Sequence, residues 1–159
     1  MRSYLVAVVD GVHARFFTLA AAELSDQGQS GPHLTEHSSL NNAEKPIATK
    51  GTNNNLIGRK HHGNRHEKTT QFTEINRRFA SKVVQHVGTM AQSAPGHHLV
   101  LVAEPHILGA LRESISGHIP SSMTVSELAK DLCRLNAHEL HKYLTNKQIL
   151  PEPRRITGR

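Results

Sequence analysis

Two short apolar runs, which lie far apart in the chain, constrain the fold more than any other feature of the sequence. The first is Tyr4–Val9 (YLVAVV) and the second is Leu99–Ala103 (LVLVA). Neither alternates with polar residues, as a strand with one solvated face would, and both are too short to span a membrane. Runs of this kind suit strands that are covered on both faces. The sequence therefore predicts a sheet with these two strands at its centre and helices on both sides.

Turn signals and shorter patterns predict three further strands. Asp10-Gly11 is a strong hairpin signal, so His13–Ala20 is expected to return antiparallel to the first strand. Leu34–Leu40 is a third strand of the same meander, and Met123–Leu128 is the last strand of the chain.

Three segments have the patterns of helices. Apolar residues recur at helical spacing within Gln71–Val87, and a second helix is predicted from Pro105 to Ile115, because proline suits the first turn. Asn136 and Glu139 have the spacing of a capping box for a third helix that ends near Thr145.

The predicted order is therefore β-β-β-α-β-α-β-α. A three-stranded antiparallel start followed by alternating helices and strands is the order of ribonuclease-H-like folds. We expect an α/β protein of this type, with three α/β/α layers around a mixed sheet. Residues 1–150 form a single domain in this interpretation, with a polar tail at 151–159 and a disordered basic loop at 41–70.

The bulk composition limits the classes of function. The chain of 159 residues has a net charge of +6 and a pI of about 9.8, which favours RNA, DNA or an acidic surface as partner. A single cysteine, Cys133, excludes a disulfide framework within the chain. The first apolar run is too short for a signal peptide, so we expect a cytoplasmic protein with no membrane contact. No motif indicates a cofactor or a small-molecule ligand.

The segment Gly58–Lys68 (GRKHHGNRHEK) is the strongest candidate for a binding function. It contains no apolar residue and cannot pack in a core, and it leads into the first predicted helix. Cations displayed in this way bind phosphate groups of nucleic acid. The predicted RNA-binding residues, including three cations on the following helix, are Arg59, Lys60, His61, His62, Arg65, His66, Lys68, Arg77, Arg78 and Lys82.

Other chemistries have weaker support in the sequence. His61, His62 and His66 lack the further ligands that a metal site would need, so no metal is predicted there. Cys133 has no partner motif and is expected to be a small buried residue. Gly109 is expected to mark a close contact between a helix and the sheet.

A ribonuclease-H-like nuclease is an alternative function. Such an enzyme needs several carboxylates that converge on divalent cations, which activate water and stabilise the leaving oxygen. The order of elements offers Asp10, Glu74, Glu104 and Asp131, with Glu127 as a substitute for the last. Ordinary roles also account for three of them, because Asp10 can close a turn, Glu74 can favour a helix dipole and Glu104 can cap a helix.

Three segments of the chain resemble the bacterial host attachment protein family: VVDGVHARFF, LVLVAEPHILGALR and ELAKDLCRLNAHEL. That family is similar to the middle domain of archaeal and eukaryotic peptide-chain release factors and of Pelota. In those proteins, a basic loop with a GGQ motif precedes a long helix and reaches the peptidyl-transferase centre of the ribosome. This chain has Gly63-Asn64-Arg65 in the corresponding place and no GGQ.

The resemblance implies a function without the catalytic step of release factors. We expect a non-enzymatic protein that binds RNA or the ribosome through its basic loop, as a rescue or hibernation factor would. The family name implies an alternative role in cell attachment or surface interaction.

Overall fold

A five-stranded mixed sheet is the centre of the fold. The protein is described by a computed structural model that covers residues 4–19, 34–44, 65–93 and 98–151. The strands are β1 (Tyr4–Val9), β2 (His13–Leu19), β3 (Thr35–Asn41), β4 (His98–Ala103) and β5 (Thr124–Ala129). The helices are α1 (Arg65–Ser93), α2 (Pro105–Ile115) and α3 (Ala137–Asn146).

The sheet has the strand order β3-β2-β1-β4-β5. β1 pairs with β4 in parallel, β4 pairs with β5 in parallel, and only β2 runs in the opposite direction. The two apolar strands therefore lie at the centre, as their sequences predict. This arrangement confirms the predicted ribonuclease-H-like α/β class.

The two faces of the sheet support separate halves of the core. Alternate side chains of the central strands point to opposite faces, because successive residues of a strand alternate in direction. One face, with Leu5, Ala7, Leu99 and Leu101, packs against α1 and α2. The other face packs against α3, through Val6, Val8, Val100, Val102, Leu140 and Leu144. The protein thus has the three predicted layers.

Helix α1 is longer than the sequence pattern predicts. It begins at Arg65 instead of Gln71 and continues to Ser93. Its first residues carry no apolar stripe, so hydrophobic periodicity could not detect them. The basic residues Arg65, His66 and Lys68 are therefore helical, whereas Arg59, Lys60, His61 and His62 lie outside the described residues. Within the described ranges, no helix is both long and apolar enough to cross a membrane.

Two glycines have opposite surroundings. The expectation of a close contact at Gly109 is wrong: the residue is exposed, and an added Cβ would meet no atom within 4 Å. The close contact occurs at Gly88 of α1, which is buried against the segment that follows α2. A Cβ there would lie 2.7 Å from the carbonyl oxygen of His118.

We expect the two glycines to respond in opposite directions to replacement by alanine. Gly88→Ala should lower the free energy of unfolding by about 1–3 kcal/mol, because a backbone oxygen must move to admit the methyl group. Gly109→Ala should raise it by up to about 1 kcal/mol, since alanine is the better helix former in open space. Denaturant unfolding of both variants measures the difference, and a Gly88→Ala variant as stable as the wild type would contradict the packing described here.

Candidate functional site

Three carboxylates meet at one edge of the sheet. Asp10 directly follows β1, Glu104 directly follows β4, and Asp131 is the second residue after β5. These three strands are parallel, so their carboxyl ends lie along the same edge. Ligand atoms of Asp10, Asp131 and Cys133 lie within 4.8 Å of one another. Glu104 interacts electrostatically with both Asp131 and Asp10. We call Asp10, Glu104 and Asp131 the edge carboxylates.

Asp10 also closes the turn between β1 and β2. Its Oδ1 atom accepts hydrogen bonds from the backbone N–H groups of Val12 (2.7 Å) and His13 (2.6 Å). Buried Asn42 holds the same turn from the end of β3, because its Nδ2 donates to the Gly11 carbonyl oxygen at 3.0 Å. The turn role expected from the Asp-Gly sequence therefore coexists with membership of the edge carboxylates.

Glu104 occupies the N-cap position of α2, but its side chain makes no capping hydrogen bond. Only its backbone carbonyl caps the helix, accepting from Ile107 and Leu108. Partial burial, followed by the charges of Asp131 and Asp10, raises the pKa of the Glu104 carboxyl. Helix capping thus does not explain where this side chain points.

Cys133 lies beside the edge carboxylates, a position that no sequence motif indicated. Its backbone N–H donates to Asp131 Oδ1 at 3.3 Å, and its thiol donates weakly to the Val8 carbonyl oxygen at 3.6 Å. Burial, with Asp10 and Asp131 nearby, raises the pKa of the thiol well above its usual value. A protonated thiol is a poor nucleophile. Cys133 is only partly buried, so the expectation of a small buried residue is met only in part.

Glu74, the fourth carboxylate of the predicted nuclease set, has partners elsewhere. It forms ion pairs with Arg77 (3.2 Å) and Arg78 (3.7 Å) on its own helix. Arg78 also donates to Glu44 Oε2 from Nε (3.0 Å) and Nη2 (2.6 Å). The structure thus brings together three of the four predicted carboxylates.

The predicted cationic surface of α1 is partly neutralised by these contacts. Arg77 and Arg78 are both paired with acids, and the hydrogen bond to Glu44 raises the pKa of Arg78. Lys82 is exposed on the same helix. Two of the three cations predicted on this part of α1 are therefore already paired with acids.

Comparison with known proteins identifies a protein family for most of the chain. A family model described as "Protein required for attachment to host cells" matches residues 5–144. No curated protein matches the sequence.

Two solved structures are distantly similar. The Aquifex aeolicus Ppx/GppA phosphatase (type II variant) is 8% identical with a TM-score of 0.35, covering 80% of this chain and 36% of its own length. RuvC from Thermus thermophilus is 9% identical with a TM-score of 0.33, covering 96% of this chain and 85% of its own. This chain therefore spans only about a third of the phosphatase. Both likenesses are too distant to carry a function to this chain.

The raised pKa of Glu104 predicts a specific dependence of stability on pH. A carboxyl group with a higher pKa in the folded state binds its proton more tightly there, so its contribution to stability is present at low pH. That contribution is lost as pH rises from the ordinary glutamate range through the raised pKa. We expect Glu104→Gln to melt at a higher temperature than the wild type at neutral pH. The difference should vanish below about pH 4, because the carboxyl group is then protonated even in the unfolded chain, where the pKa of glutamate is about 4.3.

The control is Glu113→Gln, which removes an exposed carboxylate from the same helix. Thermal unfolding between pH 4 and 8 measures both variants against the wild type. Equal behaviour of the two variants would show that Glu104 has no special environment.

Proposed function

Because this chain belongs to the family of proteins required for attachment to host cells, we propose that it contributes to the attachment of a bacterium to its host. The observation that carries this proposal is the extent of the family match. Residues 5–144 include nearly all of the five strands and α1 and α2, and they extend through most of α3. The match therefore concerns the whole folded unit and not one motif.

The molecular action that we propose is binding of RNA, free or within the ribosome, by the cationic segment around the start of α1. Arg65, His66 and Lys68 belong to the first turns of this helix, where the helix dipole also favours an anion. The net charge of +6 would attract nucleic acid from a distance. RNA of this kind is cytoplasmic, so the contribution to attachment is indirect in this proposal.

We expect replacement of four cations by alanine, at Arg59, Lys60, Arg65 and Lys68, to weaken RNA binding. The slope of the logarithm of the binding constant against the logarithm of salt concentration should fall by up to about 3, because each lost contact with single-stranded RNA removes about 0.7. Titration of a labelled RNA over a range of salt concentrations gives the slope, and co-sedimentation with ribosomes at low salt tests the ribosomal form.

The control removes the same charge from exposed cations elsewhere: Lys130, Arg134, Lys142 and Lys147. In bacteria that lack the gene, the wild type and the control should restore attachment to host cells, and the four-cation variant should not. Full attachment without the gene would contradict the family role. Full attachment with the four-cation variant would contradict RNA binding as its basis.

A second candidate function is metal-dependent cleavage of nucleic acid, favoured by the convergence of Asp10, Glu104 and Asp131 at one edge of the sheet. Carboxylate oxygens are preferred ligands of Mg²⁺ and Mn²⁺, and such ions activate water and stabilise the leaving oxygen. The edge carboxylates would hold the ions. Burial, followed by the charges of Asp131 and Asp10, raises the pKa of Glu104, and a divalent cation would relieve the repulsion between these charges.

For this second candidate, Asp10→Asn should lower the rate of cleavage by more than about 100-fold. That factor is the upper range for residues that only support a metal ligand, whereas Asp10 would bind the metal itself. Asparagine keeps an oxygen that can accept from Val12 and His13, so the turn is preserved while the charge is lost. Glu74→Gln should have little effect, since Glu74 pairs with Arg77 and Arg78 instead. Labelled RNA or DNA incubated with Mn²⁺ provides the assay. Equal losses in both variants would argue against the edge carboxylates as the site.

A further inference from the structure

We propose that Arg15 is a positioning residue that holds Asp131 among the edge carboxylates. It acts by fixing the β5–α3 connection, which we define as residues 130–136, against the sheet. The proposal rests on the second candidate function, because it assigns Arg15 a role in the site that this function would use.

The backbone fixes the three edge carboxylates to different extents. Asp10 and Glu104 directly follow strands that pair with each other along their whole length. The Glu104 N–H continues that pairing by donating to the Val9 carbonyl oxygen at 3.3 Å. Asp131 lies beyond the end of β5, in a connection without regular structure. Like charges on Asp10 and Glu104 oppose its approach. Asp131 therefore depends on contacts made by the rest of its connection.

Arg15 provides such contacts from β2, which is separated from β5 in the sheet by β1 and β4. Its Nη1 atom donates to the carbonyl oxygens of Cys133 (2.9 Å) and Leu135 (2.6 Å). These two residues follow Asp131 closely in the chain. Hydrogen bonds from a charged donor are stronger than neutral ones. The thiol of Cys133 adds only weak bonds, to the carbonyl oxygens of Val8 (3.6 Å) and His13 (3.9 Å).

Glu36 and Phe17 fix the direction of the Arg15 side chain. The Glu36 carboxylate accepts from Nε at 3.0 Å and from Nη2 at 2.6 Å, which is the bidentate geometry of a guanidinium and a carboxylate. This hydrogen bonding raises the pKa of Arg15 and lowers that of Glu36. The guanidinium also lies 5.0 Å from the centre of the Phe17 ring. With these donors engaged, Nη1 remains directed at the connection.

A lysine at this position could not make the same set of contacts. An ammonium is a single point of charge. The planar guanidinium instead binds the Glu36 carboxylate through Nε and Nη2 and the two carbonyl oxygens through Nη1. We therefore expect Arg15→Lys to restore the charge without restoring the position of the connection.

The first measurement uses the chain's only cysteine as a reporter. Arg15→Met keeps the apolar stem and removes the guanidinium. Loss of the Arg15 charge alone would raise the pKa of the Cys133 thiol and slow its reaction. Reaction with a thiol reagent such as DTNB that is at least about tenfold faster would therefore report opening of the connection. Arg15→Lys should be intermediate. The control, Arg112→Met, breaks the equally well-formed pair of Arg112 with Glu127 (2.6 Å) and should label at the rate of the wild type.

The second measurement concerns the metal requirement of nucleic acid cleavage. Arg15→Met should raise the Mn²⁺ concentration for half-maximal cleavage about tenfold and lower the maximal rate much less. The three carboxylates can still come together in this variant, but they do so in a smaller fraction of the molecules. In an Asp131→Asn background, Arg15→Met should cause no further rise, since coupled residues are not additive. A purely structural residue would instead lower the maximal rate and act independently of Asp131.

These two measurements distinguish failure of the second candidate function from failure of the role proposed for Arg15. Absence of cleavage in the wild type would overturn the second candidate function, while thiol labelling would still test Arg15. Unchanged labelling in a folded Arg15→Met variant would overturn the role of Arg15 even if cleavage occurs. If Arg15→Met does not fold, Glu36→Gln retains Arg15 but weakens its alignment. A smaller increase in labelling would then support the proposal, and no increase would overturn it.

Discussion

Parallel pairing of two buried strands is the constraint on which the other features depend. β1 and β4 are apolar along almost their whole length, so each must be covered on both faces. Their side chains divide the core into one half with α1 and α2 and another with α3. Because the strands run in the same direction, the residue after each one reaches the same edge. Asp10 and Glu104 are neighbours for this reason, although they are distant in sequence.

The order of elements was predictable because each strand and helix carries a local signal. The central position of β1 and β4 followed from the two apolar runs. Membership of the host attachment family, inferred from three segments, was confirmed over residues 5–144. The likeness to release factors stays a prediction. The start of α1 was missed because hydrophobic periodicity is absent before Gln71.

The candidate site was only partly predictable from the sequence. Residues that end parallel strands can be placed at an edge from topology alone, which is why Asp10, Glu104 and Asp131 were found. Glu74 was also included, but its side chain pairs with Arg77 and Arg78. The sequence does not show how a helix is rotated against the sheet, and this rotation sets the direction of its side chains. The partner of Arg78 is Glu44, in a segment distant in sequence. The contacts of Arg15 with Cys133 and Leu135 have no local signal at all.

The environment of Cys133 has a consequence for oxidation. Oxidants and disulfides react with the thiolate form of cysteine. Partial burial, followed by the charges of Asp10 and Asp131, raises the pKa of the only sulfhydryl of this chain. The folded protein should therefore resist forming sulfenic acid or disulfide-linked pairs, and it would keep the same covalent state in reducing and in oxidising surroundings.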